Sequence, residues 1–349
     1  MRTTLRDVAR RAGVSLATVS YVLNRGPRPV SVERRERVLA AVRELQYLPP
    51  ARERKRSRSF TIGVVVPDAS HPFFSSALQG IDQVVRTDGH LLLVASSGEE
   101  PARERELVKA LLRRRIEGLI LTPCAGVSPF IEQVPRRGVA VVIMDRDGTP
   151  HSLTQVTINN YKSAFQGVRL LWESGHSRIA LVNGPDQIDT YRERLRGYTD
   201  ALIFAGLPFE PALVHRGPQT FEYGLQATRT LLGLAEAPSA IFSSNVVLTS
   251  GVLWGLRERR LRVPDDIALV GFGDPVWASL VTPPLTVIEQ PTALLGEAAA
   301  RLLLASIGRE PSATGQRVVL ETRLILRESH WRVAQPAAGA TAGAEVSAQ

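Results

Sequence analysis

A chain of 349 residues, 44% of them hydrophobic, is long enough for two or three domains with sizeable cores. Its one cysteine, Cys124, excludes an internal disulfide and any metal site built on several thiolates, which suits a reducing compartment. Charge is unevenly spread: up to Ser59 there are 15 Lys and Arg against 5 Asp and Glu, a net of +10, while the whole chain is +9. The remaining residues therefore sum to about −1, and the basic excess sits in one small segment, as expected of a phosphate-binding module.

In chain order, Thr4 and Asp7 stand at the N-cap and N3 spacing of a capping box, so a first helix is expected from Leu5. Leu5, Val8, Ala9 and Ala12 share one face of it, and Gly13 can take the left-handed conformation that ends it. Ser15 then caps a second helix whose buried side is Val19, Val22 and Leu23. Two short helices joined by a tight turn make a helix-turn-helix, which sets the second across a DNA groove, N-terminal residues first. A third helix is expected from Ser31, with Val32, Val38, Leu39, Val42 and Leu45 facing inward and Tyr47 at its end. Pro49-Pro50 stops it. Residues 1–48 are read as an all-α DNA-binding domain, and 49–59, polar and Arg-rich, as a hinge linker.

From Phe60 the pattern becomes strand, helix, strand, helix. Short apolar runs at 61–67, 91–95, 118–121, 139–144, 156–158, 179–182, 240–242 and 267–271 alternate with helical stretches. Those stretches are 73–87, 104–114, 162–172, 192–205, 223–232, 248–259 and 294–306. Such alternation predicts parallel sheets covered by helices on both faces, an α/β architecture of two doubly wound subdomains. A cleft between their strand ends offers a ligand site at each carboxyl edge. Residues 60–333 are taken as this domain, with an N-subdomain at about 60–158 and 290–318 and a C-subdomain at about 159–289 and 319–330. The Ala/Gly-rich tail, 334–349, is expected to be disordered.

Catalytic signatures are missing. The chain has no Gly-rich phosphate loop ending in Lys-Ser/Thr, no His-Glu-x-x-His pair and no Cys cluster. Asp145-Arg146-Asp147-Gly148 resembles an acid or metal site, but at a strand end it reads as a cleft rim and a turn. No enzyme activity, metal or cofactor is expected. No apolar run approaches membrane-spanning length and the first residues hold no signal-peptide core, so a cytoplasmic, nucleoid-associated protein is expected.

The N-terminus resembles the lactose-repressor (LacI/GalR) family of bacterial transcription regulators. The matching pieces are Asp7-Val8-Ala9, Ala12-Gly13-Val14-Ser15, Thr18-Val19-Ser20 and Asn24. The body is similar to that family too, at Ile62-Gly63-Val64, Pro72-Phe73-Phe74, Glu117-Gly118-Leu119, Gly175-His176-Ser177, Arg192-Glu193-Arg194 and Val263-Pro264-Asp265. The resemblance implies a periplasmic-binding-protein-like effector domain, a homodimer, and double-stranded operator DNA of near-palindromic sequence as the partner. It places Leu16, Ala17 and Tyr21 at base-reading positions, the first two limited to apolar contact with a thymine methyl. Ser15, Thr18, Ser20 and Asn24 are expected to hold phosphates. Thr4, Arg28, Tyr47, Arg54 and Arg56 complete the expected DNA-contacting set.

The linker departs from the family. Arginine, Arg56, stands where relatives carry a leucine that wedges into the minor groove, so leucine-type kinking is not expected. The small-molecule effector, a sugar, nucleoside or anionic metabolite, is expected against Phe73, Phe74, Asp145, Asn159, Arg194, Asn245, Asp274 and Trp277. Positions where relatives place ligand-binding or neighbouring acids read Asn159, Val246 and Gly273, which favours an anionic effector or a vestigial pocket. Two alternatives share the fold: a solute-binding protein without DNA regulation, opposed by the basic head, and a sugar-processing enzyme, opposed by the missing acid/base constellation.

Overall fold

The computed structural model describes residues 4–24, 30–45, 60–124, 126–146, 152–310 and 314–331. The expectations for Arg28, Tyr47, Arg54, Arg56, the 49–59 linker and the 334–349 tail lie outside the described residues, as does the Asn24 side chain. The chain separates into two compact units, Met1–Arg58 and Ser59–Gln349.

The first unit holds α1 (Leu5–Ala12), α2 (Leu16–Asn24) and α3 (Val32–Glu44). The Asp7 carboxylate accepts from the Thr4 N–H at 2.9 Å and the Thr4 hydroxyl at 2.6 Å, which starts α1. Gly13, at φ 62°, ends it, and its N–H reaches back to the Arg10 carbonyl. Val8, Ala9, Ala12, Val19, Val22, Val38 and Ala41 close a small core. Two residues expected inside face solvent instead: Val32 is 74% exposed and Leu39 40%. The inward line of α3 is Val38, Ala41, Val42 and Leu45, the i, i+3, i+4, i+7 spacing, and Leu39 stands about 100° around the helix from Val38.

The second unit begins with β1 (Thr61–Val66), α4 (Pro72–Thr87), β2 (Leu91–Ser96), α5 (Pro101–Arg113), β3 (Gly118–Leu121), α6 (Pro129–Glu132), β4 (Ala140–Met144) and β5 (Thr154–Ile158). It continues with α7 (Asn160–Glu173), β6 (Ile179–Asn183), α8 (Asp189–Phe204), β7 (Val214–Arg216), α9 (Phe221–Leu232), β8 (Ala240–Ser243) and α10 (Val246–Glu258). The last elements are β9 (Ala268–Phe272), β10 (Thr286–Glu289), α11 (Thr292–Ser306), β11 (Arg317–Leu320) and β12 (Arg323–Ile325). Two six-stranded sheets result, ordered β11-β5-β4-β3-β1-β2 and β12-β10-β9-β8-β6-β7. All pairings are parallel except β10 with β12. Central strands such as β1 are buried at every residue, as required when helices cover both faces.

Helices start one to three residues earlier than their apolar periodicity suggests, because capping residues and prolines supply the first turn. His71 Nδ1 accepts the Phe73 N–H ahead of Pro72, and Asn245 Oδ1 accepts the Val247 N–H at 2.8 Å. Strands β7, β10, β11 and β12 were not expected; each is three or four residues long and carries a charged residue, whereas the equally short β3 and β8 carry none and are buried throughout. Strand β11 pairs with β5 through Leu320, so the boundary expected between 318 and 319 cuts a strand, and the crossing falls at residues 321–322. No helix among the described residues is long and apolar enough to cross a membrane.

Candidate functional site

On the DNA-binding unit, Ser15 Oγ accepts the Thr18 N–H at 3.2 Å and lies 2.9 Å from the Thr18 hydroxyl, which caps α2. With the cap in place the first turn of α2 presents Leu16, 45% exposed, and Ala17 to solvent. An exposed leucine beside a cap, in a unit whose core is already closed, has no packing role. Tyr21, Thr18 and Ser20 are half-buried along the same helix. Thr4 is exposed, but its hydroxyl is engaged by Asp7.

In the second unit the carboxyl ends of the two sheets bring a polar cluster together. Asp145 follows β4 in the left-handed region, φ 73°. That conformation is held from both sides: its N–H donates to the Val156 carbonyl, and its own carbonyl accepts the Thr157 hydroxyl, both at 2.8 Å. Burial pushes the Asp145 carboxyl up to about 6, against the pull of the Arg146 and Arg194 charges. No described residue donates a hydrogen bond to that carboxyl. Arg146, 3% exposed, spends Nη1 on the Pro123 and Cys124 carbonyls (2.7 and 2.8 Å) and forms a two-pronged ion pair with Glu99.

Arg194 projects from α8 and is 5% exposed. Its Nε donates to Asn160 Oδ1 at 2.9 Å and Nη1 to the Ser244 carbonyl at 2.6 Å. The guanidinium carbon stands 3.7 Å from the centroid of Phe272, a stacked cation–π contact. Nearby, Asn245 Nδ2 donates to the Tyr191 hydroxyl (3.0 Å), and Tyr191 donates to Gln219 Oε1 (2.6 Å). Gln219 Nε2 in turn donates to Glu99 Oε1 at 3.1 Å, so one amide links the two lobes.

These groups line an inner pocket of about 30 Å³, with room for about one water molecule. Outside it lies a cleft of about 900 Å³ bounded by Asp68, Arg103, Asp186 and Arg216. His71, Phe74 and Gln219 border both spaces, so a ligand reaches Asp145 only by displacing them or by parting the lobes. The His71 ring accepts the Phe73 N–H on Nδ1 at 3.2 Å, which leaves its proton on Nε2. Burial lowers the His71 pKa against the opposing pull of Asp68 and of a side-chain contact with Asn245, and its buried Nε2 makes no hydrogen bond of full geometry among the described residues.

Of the residues expected to meet the effector, Phe73, Phe74, Asp145, Arg194 and Asn245 converge on the inner pocket. Asn159, Asp274 and Trp277 border neither space. Asn159 caps α7 through the Lys162 N–H (3.0 Å), Asp274 is held in a bidentate ion pair by Arg327, and Trp277 packs against the C-lobe core. An acid at position 273 is closed off: Gly273 adopts φ +93°, and a Cβ there would lie 2.4 Å from Val246 Cγ2. The two guanidinium groups face the Asp145 and Glu99 carboxyls; Arg146 Nη1 and Nη2 and Arg194 Nε and Nη1 are engaged, while the buried Arg146 Nε has no hydrogen-bond partner among the described residues. His71, Tyr191 and Gln219 escaped sequence reasoning; the His71-Pro72 cap was legible, whereas a glutamine in a loop carries no signal.

Comparison with known proteins agrees with this geometry. Residues 4–50 match the model for bacterial regulatory proteins, lacI family, and residues 168–330 that for a periplasmic binding protein-like domain. Over 330 residues the chain is 35% identical to the HTH-type transcriptional repressor CytR of Escherichia coli K12, covering 93% of this chain and 96% of that one. The chain belongs to the lacI family.

Another family member, the ribose operon repressor of the same organism, is 34% identical over 329 residues, 93% of this chain and 99% of that protein. Among solved structures, the lac repressor dimer bound to operator and an anti-inducer is 28% identical with a TM-score of 0.76 and covers 95% of this chain and all of that one. The transcriptional regulator CelR–cellobiose complex is 34% identical with a TM-score of 0.71, covering 94% and 100%. As a lacI-family member the chain is a ligand-responsive transcriptional regulator and not an enzyme.

Proposed function

We propose that this regulator binds an inverted-repeat operator in the cytoplasm as a homodimer and represses transcription, with its DNA affinity set by a neutral, hydroxyl-bearing effector of the sugar or nucleoside class. The observation that carries the effector class is the inner pocket itself. The buried Asp145 carboxyl, raised in pKa by desolvation, and the buried His71 Nε2, approached among the described residues only by Asn245, flank Arg146 and Arg194. A ligand hydroxyl can donate to the first and accept from the second, whereas a phosphate adds charge where none is missing. The relatives named as a ribose operon repressor and as a CelR–cellobiose complex support the same class.

On DNA, Leu16, Ala17 and Tyr21 read bases while Ser15, Thr18, Ser20 and Asn24 set register on phosphates; Thr4, Arg28, Tyr47, Arg54 and Arg56 add backbone contacts. Effector binding parts the Gln219–Glu99 bridge, changes lobe closure, and shifts the population of dimers whose heads match the operator spacing.

Selection of duplexes from a randomised pool with the full chain should return an inverted repeat whose binding weakens steeply with salt. Tyr21→Ala should then cost about 1–3 kcal/mol at one base pair and relax preference there. Calorimetry with neutral sugars and nucleosides beside their phosphates tests the effector class. A phosphate binding more tightly than its parent would overturn it.

A further inference from the structure

Where the linker enters the effector unit, the backbone takes a conformation that the core alone does not require. Phe60 sits at φ 48°, a left-handed conformation uncommon for a bulky residue and held only when its surroundings over-determine it. Next to it, β1 is already fixed in register by pairing with β2 and β3 and is buried throughout, while Phe60 is 50% exposed. Three contacts hold Phe60. Its N–H donates to Glu117 Oε1 at 2.9 Å, its carbonyl accepts the Leu91 N–H at 2.6 Å, and its ring lies 5.6 Å from that of His90.

His90 is buried between two carboxylates. Its side chain is 7% exposed, with Nδ1 3.0 Å from Asp88 Oδ2 and Nε2 3.6 Å from Glu117 Oε2, although neither contact has hydrogen-bond geometry. Glu117 also donates its backbone N–H to the Thr61 carbonyl at 2.9 Å, so it grips the chain on both sides of the entry point. None of these residues borders the inner pocket or the outer cleft.

We propose that Glu117 and His90 are positioning residues that pin Phe60, the first described residue of the effector unit, and that this pin is required for tight operator binding. This rests on the reading that DNA affinity is set by paired heads. Glu117 Oε1 supplies the hydrogen bond that keeps Phe60 left-handed, and His90 supplies the surface against which its ring stops.

The test uses the full chain and duplexes selected by the unaltered protein, with Glu117→Ala, Glu117→Gln, His90→Gln and Phe60→Gly compared. Three quantities are read: duplex affinity, the rate of trypsin cleavage within the Arg-rich 51–59 segment on bound protein, and the melting temperature of the effector unit. Glu117→Ala and Phe60→Gly should weaken duplex binding at least tenfold and speed cleavage severalfold with the melting temperature kept. Glu117→Gln, which retains an acceptor for the Phe60 N–H, should lose much less. Folded variants that bind and cleave within twofold of the unaltered chain would overturn the proposal. So would losses that merely track melting temperature across the set. If Glu117→Ala does not fold, His90→Gln and Phe60→Gly decide the matter. An unaltered chain that selects no duplex at all defeats the DNA-binding reading first, a result separable from a silent set of variants.

Discussion

The N-lobe and C-lobe sheets share one strand order, with crossovers that lead each carboxyl edge into the same cleft, yet they load that edge with different chemistry. The N-lobe brings full charges: Asp145 and Arg146 at the end of β4, and Glu99 after β2. The C-lobe brings one cation, Arg194, surrounded by amides and a phenol from Asn160, Asn245, Gln219 and Tyr191. Both arginines are buried, but they are satisfied differently. Arg146 is neutralised by a carboxylate and two carbonyls, and Arg194 by neutral acceptors and the Phe272 ring. A shared fold thus fixes where a ligand sits, while the partners of each charge fix what kind of ligand is tolerated.

The largest effect expected from breaking this contrast is at Arg194. Arg194→Ala leaves Asn160 Oδ1 and the Ser244 carbonyl without their donor and Asp145 without one of its two balancing charges, which should cost about 3–5 kcal/mol in urea unfolding. Ligand binding in calorimetry should disappear with it. A loss below about 1 kcal/mol would show that the C-lobe cation is not integral to its lobe.

Asp145 gives the next largest effect. Its folded pKa, about 6, lies above the usual 3.8, so the folded state holds that proton more tightly than the unfolded chain does. The associated stability is present below about pH 4 and is lost as pH rises through 6, on the order of 3 kcal/mol in total. The Asp145→Asn chain should lack this slope in denaturant titrations between pH 3 and 7. Parallel profiles for the two proteins would mean that the carboxyl is far better solvated than its burial indicates.

The interlobe bridge is a smaller quantity. Gln219→Ala should reduce stability by about 1 kcal/mol, and a cycle with Glu99→Ala should show coupling of at least about 0.5 kcal/mol. Simple additivity would sever the two lobes as energetic partners. The smallest expected change is at Asp274. Its ion pair with Arg327 is partly exposed and Asp274 borders neither the pocket nor the cleft, so Asp274→Ala should cost about 1 kcal/mol or less and leave ligand affinity unaltered. A drop in affinity there would return Asp274 to the effector site.

Much of the fold was readable in advance because its signals are local. The Thr4–Asp7 box, the Gly13 stop and the Ser15 cap each act within four residues, and the buried strands announce themselves as apolar runs between helices. The short strands were not readable, since β7 and β12 have three residues each and draw their hydrogen bonds from partners far away in sequence. The same split runs through the site. Phe73, Asp145 and Asn245 stand at strand ends or helix starts, where topology directs side chains into the cleft, and Arg194 reaches it from the second turn of α8. Asn159 and Asp274 occupy similar stations but are used for a helix cap and an ion pair.

Composition, periodicity and capping chemistry were enough to determine a basic helix-turn-helix head on a two-sheet α/β body, because propensity and hydrophobic patterning act over a few neighbouring residues. Only the tertiary structure decided the character of the pocket. Whether Arg194 meets a carboxylate, an amide or an aromatic face depends on groups 34 to 78 residues away, brought together by the sheets. Electrostatics in a buried site follows those distances and not the order of the chain.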